Sequence, residues 1–259
     1  MLKYFSFLER SDLLFSLAVK EIKVKYKSAM LGFLWAIIVP MAMMLVFLLI
    51  FSKLFDIKEL SVVYLLSALF PWMFFNMSLS NGTTCFIDNA SIIKKIFFPR
   101  ELIPLSIVLS HLFNFILSML LLIILALLWK YPLSWTLLLL PFVFFLQILF
   151  VSGLTMMMSA LYVYFRDIKY LVEIMLIVWF YLTPVFYDQK MIREFSPELF
   201  NLFLLNPMTG LTVMYRDIYL YGNFSSAKLV SVTALLCIIS YFVGIIIINK
   251  LSAGISDYV

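Results

Sequence analysis

Four lysines, Lys20, Lys23, Lys25 and Lys27, fall within eight residues, and the 25 residues that follow, from Ser28 to Ser52, carry no charge. Ammonium groups packed against the start of an apolar run suit electrostatic attraction to phosphate groups at a membrane surface. Each contributes about 1 kcal/mol there. The same lysines have a plainer use, which is to keep the segment before the apolar run from crossing the bilayer.

Little else in the chain has the makings of reactive chemistry. Asp167 and Glu173, beside Arg166 and Lys169, are the acids on which surface catalysis would have to rest, and an ion pair at a helix end explains them more simply. His111 stands in an apolar run with no mid-run Asp or Glu to exchange a proton with, so packing or hydrogen bonding is expected of it. Cys85 and Cys237 read as buried thiols and not as a disulfide or a metal pair. The seven glycines never fall five apart, which rules out a Walker A phosphate loop, nor four apart, which rules out a GxxxG pair within one helix. No catalytic and no metal-ligating residue is therefore assigned.

The elements that must position these groups follow from composition. Of 259 residues, 65% are hydrophobic and 13% charged, where soluble chains carry roughly 25% charged residues. The excess apolar surface calls for an all-α integral membrane protein, and the net charge of +5 is matched to anionic lipid and not to nucleic acid. Charge-free runs of bilayer length, about 20 residues, place six spans at 28–52, 60–87, 102–129, 137–162, 168–187 and 229–249 of one transmembrane domain, 1–259. Twelve of the 19 Lys and Arg then lie on the side shared by both termini, which predicts cytoplasmic termini.

Three segments are neither plain span nor plain loop. Over 12–27, Phe15, Ala18, Val19, Ile22 and Tyr26 share one helical face and Ser16, Lys20, Lys23 and Lys27 another, which predicts an amphipathic helix in the interface. Over 88–101, Asp88 or Asn89 is expected to cap a short helix ended by Pro99. Its apolar Ile92, Ile93, Ile96 and Phe97, alongside Lys94 and Lys95, are expected to be exposed for docking or for lying on lipid. Over 188–222 the break at Asn206-Pro207 predicts two short helices dipping back into the membrane, tolerated only if protein or a water-filled cavity surrounds them. Aromatics make up 18% of the chain. Trp35, Trp72, Phe74, Phe75, Trp179, Tyr181, Tyr187 and Tyr215, with Asn206 and Pro207, are candidates to line a neutral passage suited to a glycan or an amphiphile. Packing against lipid or protein is the plain alternative for each of them.

The segments "KYKSAMLGFLWAIIVP" (25–40), "FPWMFF" (70–75), "YFRDI" (164–168), "LTPVFY" (182–187) and "LNPM" (205–208), in this order and spacing, resemble the type-2 ABC exporter permeases that move lipid-linked polysaccharide such as O-antigen, capsule or teichoic acid. The resemblance runs from about residue 12 to the C-terminus. It implies a transport subunit of a bacterial inner membrane that is not itself an enzyme. A second copy of the chain and two ATP-binding cassette subunits would be its partners, with ATP and Mg2+ bound in those subunits and no cofactor in this chain. It also implies that Asp88 to Phe98 (among them Ile92, Lys94, Lys95, Ile96 and Phe97) transmits the ATPase's movement, and that 188–222 forms an extracytoplasmic gate. The lysines of 20–27 would then meet the phosphate of a lipid carrier. An exporter of another lipid or a drug, and a membrane enzyme acting on lipid carriers, are the alternatives.

Overall fold

In the computed structural model the described residues are 7–27, 31–49, 60–95, 98–131, 134–187, 189, 196, 198, 202–252 and 254–258. Among them there are helices and turns and no strand. The main helices are α1 (Phe7–Tyr26), α2 (Trp35–Leu49), α3 (Leu60–Asp88), α4 (Ala90–Lys95), α5 (Leu102–Leu128), α6 (Leu140–Tyr164), α7 (Ile168–Tyr181), α8 (Pro207–Arg216) and α9 (Ala227–Leu251).

Four helices are long and apolar enough to cross a bilayer among the described residues: Val62–Asp88, Leu102–Leu128, Trp135–Tyr164 and Ala227–Leu251. Among the described residues the two remaining expected spans are shorter helices. α2 has 15 residues. α7 has 14, which at 1.5 Å per residue reaches about 21 Å of the ~30 Å hydrocarbon core. It ends because Pro184 disfavours helical backbone at Thr183. The Thr183 hydroxyl donates to the Trp179 carbonyl and so satisfies a group the helix end leaves open.

α3 is the central pillar. It packs on α5, α6, α7 and α8, while α6 and α9 lie along one another. That second pairing is made by glycines from different helices. A Cβ on Gly244 would sit 2.2 Å from the Gly153 carbonyl oxygen, and one on Gly153 2.2 Å from the Ser240 carbonyl oxygen. The backbones touch, as small residues allow in membranes. The entry to α6 is a 3-10 turn, Trp135–Leu139, whose Ser134 hydroxyl donates to the Gly222 carbonyl at 2.8 Å.

At one end of the bundle Cys85, Phe86, Ile93, Phe98, Ile103, Val163, Ile248 and Ile255 form an apolar cluster on which Leu13, Leu14 and Leu17 of α1 rest. The face of α1 is rotated from the expected one. Ala18 is buried, but Phe15 is 70% exposed, because the stripe that meets the bundle is Leu13, Leu14, Leu17 and Ala18. Both α1 and the helical turn Ile255–Tyr258 therefore share the end where α3 finishes and α5 begins.

Candidate functional sites at the two ends of the bundle

At the α1 end, the Lys20 ammonium donates to the Asn89 side-chain oxygen at 2.6 Å and pairs with Glu21 at 3.2 Å. Asn89 in turn donates to the Cys85 carbonyl. It does not cap α4 through its side chain, and Asp88 accepts from Thr84 instead. The docking patch expected on α4 is partly folded inward. Ile93 and Phe98 are buried and Ile92 packs against the same cluster, because so short a helix needs an apolar anchor to stay on the bundle. What α4 presents outward is Lys94 and Lys95. Ile96 and Phe97 lie outside the described residues. Arg100 donates to the Ile93 carbonyl at 3.2 Å, which ties the helix to the start of α5, and burial lowers its pKa.

Of the four lysines, Lys20 is thus engaged within the protein, while Lys23, Lys25 and Lys27 are exposed. Lys25 lies 5.6 Å from the Tyr26 ring centroid, and desolvation lowers its pKa. Arg166, Asp167, Lys169 and Glu173 are all exposed, and no ion pair joins them. Arg166 donates to the Tyr258 carbonyl at 3.4 Å instead of meeting an acid.

At the opposite end, α8 starts at the Asn206-Pro207 break. Asn206 caps it by accepting from the Met208 N–H at 3.0 Å, with Pro207 in the first turn. The same side chain accepts from the Trp179 indole at 2.8 Å and donates to the Leu182 carbonyl and the Thr183 hydroxyl. Both of its donors and its acceptor oxygen are in use. α8 is buried from Met208 to Arg216. It continues into a π-helical turn, Asp217–Tyr221, and stops at Gly222 with φ 58°.

Two polar links that the sequence did not suggest hold α8 in place. The Tyr215 hydroxyl donates to Gln147 Oε1 at 2.6 Å, and Gln147 donates to the Pro71 carbonyl at 2.8 Å. Arg216, buried, donates to the Val185 carbonyl at 2.7 Å and stacks 3.6 Å from the Tyr64 ring centroid. A lone Gln inside an apolar run and an Arg in a Tyr-rich stretch were the available signals.

The expected passage aromatics divide. Trp72, Phe74, Phe75 and Tyr215 are buried within this chain. Phe74 stacks on Phe115 at 4.9 Å, Trp72 meets Phe75 edge-on at 5.3 Å, and Phe75 meets Trp179 at 5.2 Å. Here much of their surface is spent on packing with other rings, since edge-to-face pairs are favourable in their own right, and Phe74 also borders a cavity between α1, α2, α3 and α5. Tyr181, 69% exposed, and Trp35, 42% exposed, remain open to the surroundings. The Tyr187 hydroxyl donates to the Tyr181 carbonyl. Trp179 borders a groove of about 730 Å³ between α7 and residues 202–207, lined by Ile174, Val178, Leu202 and Leu205. Among the described residues no group of His, Cys, Asp and Glu could hold a metal ion, and Cys85 and Cys237 are separate buried thiols.

The sequence matches the family model of the ABC-2 type transporter over residues 12–220. It is 33% identical over 244 residues to the O-antigen export system permease protein RfbA of Klebsiella pneumoniae, covering 93% of this chain and 92% of that protein. A protein of the same name from Myxococcus xanthus is 34% identical over 209 residues, 80% of each chain.

Proposed function

Because this chain belongs to the ABC-2 type transporter family, we propose that it is the membrane-spanning permease subunit of an ATP-driven exporter that moves a lipid-linked polysaccharide of the O-antigen kind out of the cytoplasm. The observation that carries this reading is the near full-length match to O-antigen export permeases, 93% of this chain at 33% identity.

The finer parts of the reading rest on physical argument. No pair of glycines stands five apart, so nucleotide belongs on a separate subunit, and the complex pairs two copies of this chain with two ATP-binding subunits that hold ATP and Mg2+. α4, with Lys94 and Lys95 outward, receives that subunit's movement together with α1. The exposed apolar face of α7, which includes Leu171, Ile174, Ile177 and Tyr181, meets the second copy, and the polymer passes between the two. Both termini lie in the cytoplasm of a bacterial inner membrane, and α8 with its Asn206 hub seals the outer end.

The test is reconstitution with an ATP-binding subunit from the same organism. ATP hydrolysis and polysaccharide translocation are expected only when both chains are present, and cells lacking this chain should accumulate lipid-linked polymer inside. Translocation by this chain alone, driven by a proton gradient or by nucleotide, would overturn the reading.

A further inference from the structure

Between α1, α2, α3 and α5 lies a cavity of about 280 Å³, at the small end of the ~300–1,000 Å³ range of ligand pockets. Its walls are apolar over most of their extent, with Val39, Pro40 and Met43 of α2 and Phe70, Met73 and Met77 of α3. From Phe70 to Met77 the helix advances roughly 10 Å at 1.5 Å per residue, so the space is an elongated slot along the bundle axis. Its polar edge comes from α1 and α5. Lys25 borders it and makes no ion pair among the described residues, where Glu21 pairs with Lys20. Asn114 borders it too. The side-chain oxygen of Asn114 accepts from the Tyr26 hydroxyl at 3.0 Å, while its amide nitrogen donates to no described residue. No carboxylate lines the slot.

A narrow apolar slot beneath an unpaired ammonium and an unused amide donor is complementary to a hydrocarbon chain below an anionic, oxygen-rich headgroup. We propose that this slot holds one acyl chain of an anionic phospholipid, from the leaflet in which α1 lies, with its phosphate at Lys25 and its ester oxygens near Asn114. Neighbouring protein partly desolvates the Lys25 ammonium, which opposes its charge, and a phosphate there supplies a partner. The bound lipid is a wedge between the interface helix and α2, which otherwise rests on α5 and α3. This goes beyond the export reading and does not depend on it.

The test uses the complex of this chain with its ATP-binding subunit in nanodiscs of zwitterionic phospholipid. The probe is a small fraction of phosphatidylglycerol carrying a photoreactive diazirine at an acyl-chain end. After illumination, adducts mapped by peptide mass spectrometry are expected on 70–77 and 111–118, in several-fold higher yield than from a phosphatidylcholine probe of the same chain. Lys25→Glu should bring the yield down to the phosphatidylcholine level, and Lys25→Arg should keep it. Met73→Trp, which fills the slot, should remove the adducts while the complex still elutes as one species. Equal yields from the two probes, or adducts only on the outward face of α9, would overturn the proposal. So would loss of the adducts to competing polyprenyl phosphate, which would make the slot a site for the lipid carrier. None of these readouts requires export to occur, so failure here leaves the proposed function standing, and the reverse also holds.

Discussion

Lys20 Nζ and Asn89 Oδ1 stand 2.6 Å apart, although 69 residues separate them in the chain. One belongs to the amphipathic α1, the other to the junction of α3 and α4, and the bond makes these elements answer to each other. A hydrogen bond to a charged group contributes about 1.5–3 kcal/mol when buried, and less here because the Lys20 side chain is 40% exposed. Lys20→Met and Asn89→Leu should therefore fold and join the complex. They should export less polymer per ATP hydrolysed, with Lys20→Arg partly restoring the ratio. An unchanged ratio in both variants would show that the contact transmits nothing.

The Gly153–Gly244 contact predicts a contrast between two glycine substitutions. Gly244→Ala meets backbone at 2.2 Å and should destabilise the chain by about 3 kcal/mol, the upper part of the range for overpacking. Gly82→Ala meets first the Thr155 methyl group, a side-chain end that can rotate away, and should cost less. Thermal unfolding in detergent separates the two, and equal shifts would contradict the account of α6 against α9.

Tyr215, Gln147 and the Pro71 carbonyl form one buried chain of hydrogen bonds, so their removal should not be additive. Tyr215→Phe leaves Gln147 Oε1 without its donor, and Gln147→Leu leaves the hydroxyl without its acceptor. Each should cost about 1–3 kcal/mol. The double variant should cost less than the sum, because no unpaired group from that bond remains. A double-mutant cycle measured by thermal unfolding checks this.

Asn206→Ala removes a helix cap worth about 0.5–2 kcal/mol together with the Trp179 bond. It should raise leakage of small polar solutes through reconstituted complexes and shift tryptophan emission. Pro207→Ala keeps the cap and should alter leakage or export more than expression level. If expression fell in parallel with export, the break would be a folding element alone.

Much of the helix order was legible from runs without charge and from Pro and Asn at their ends, as at Asn206-Pro207. What the sequence could not carry was pairing between elements. Gly153 and Gly244 are ordinary glycines until α6 and α9 are laid side by side, and Lys20 looks like its neighbours Lys23 and Lys27 until Asn89 is placed under it. Phe15 fits the apolar face of an isolated helix, yet the bundle takes Leu14 and Leu17 and leaves Phe15 outside. The aromatic groups were visible as groups, but composition does not say whether a ring faces a passage or another ring. Phe74 and Phe75, adjacent in sequence, both turned out to face other rings.

The backbone contact of α6 with α9 also constrains how the machine can work. Two helices in carbonyl contact have no side-chain cushion between them, so sliding one past the other would break the fit at once. They form a stiff plate, and conformational work during a transport stroke must fall on the parts with compliant joints: α2, seated beside its slot, and the short α7.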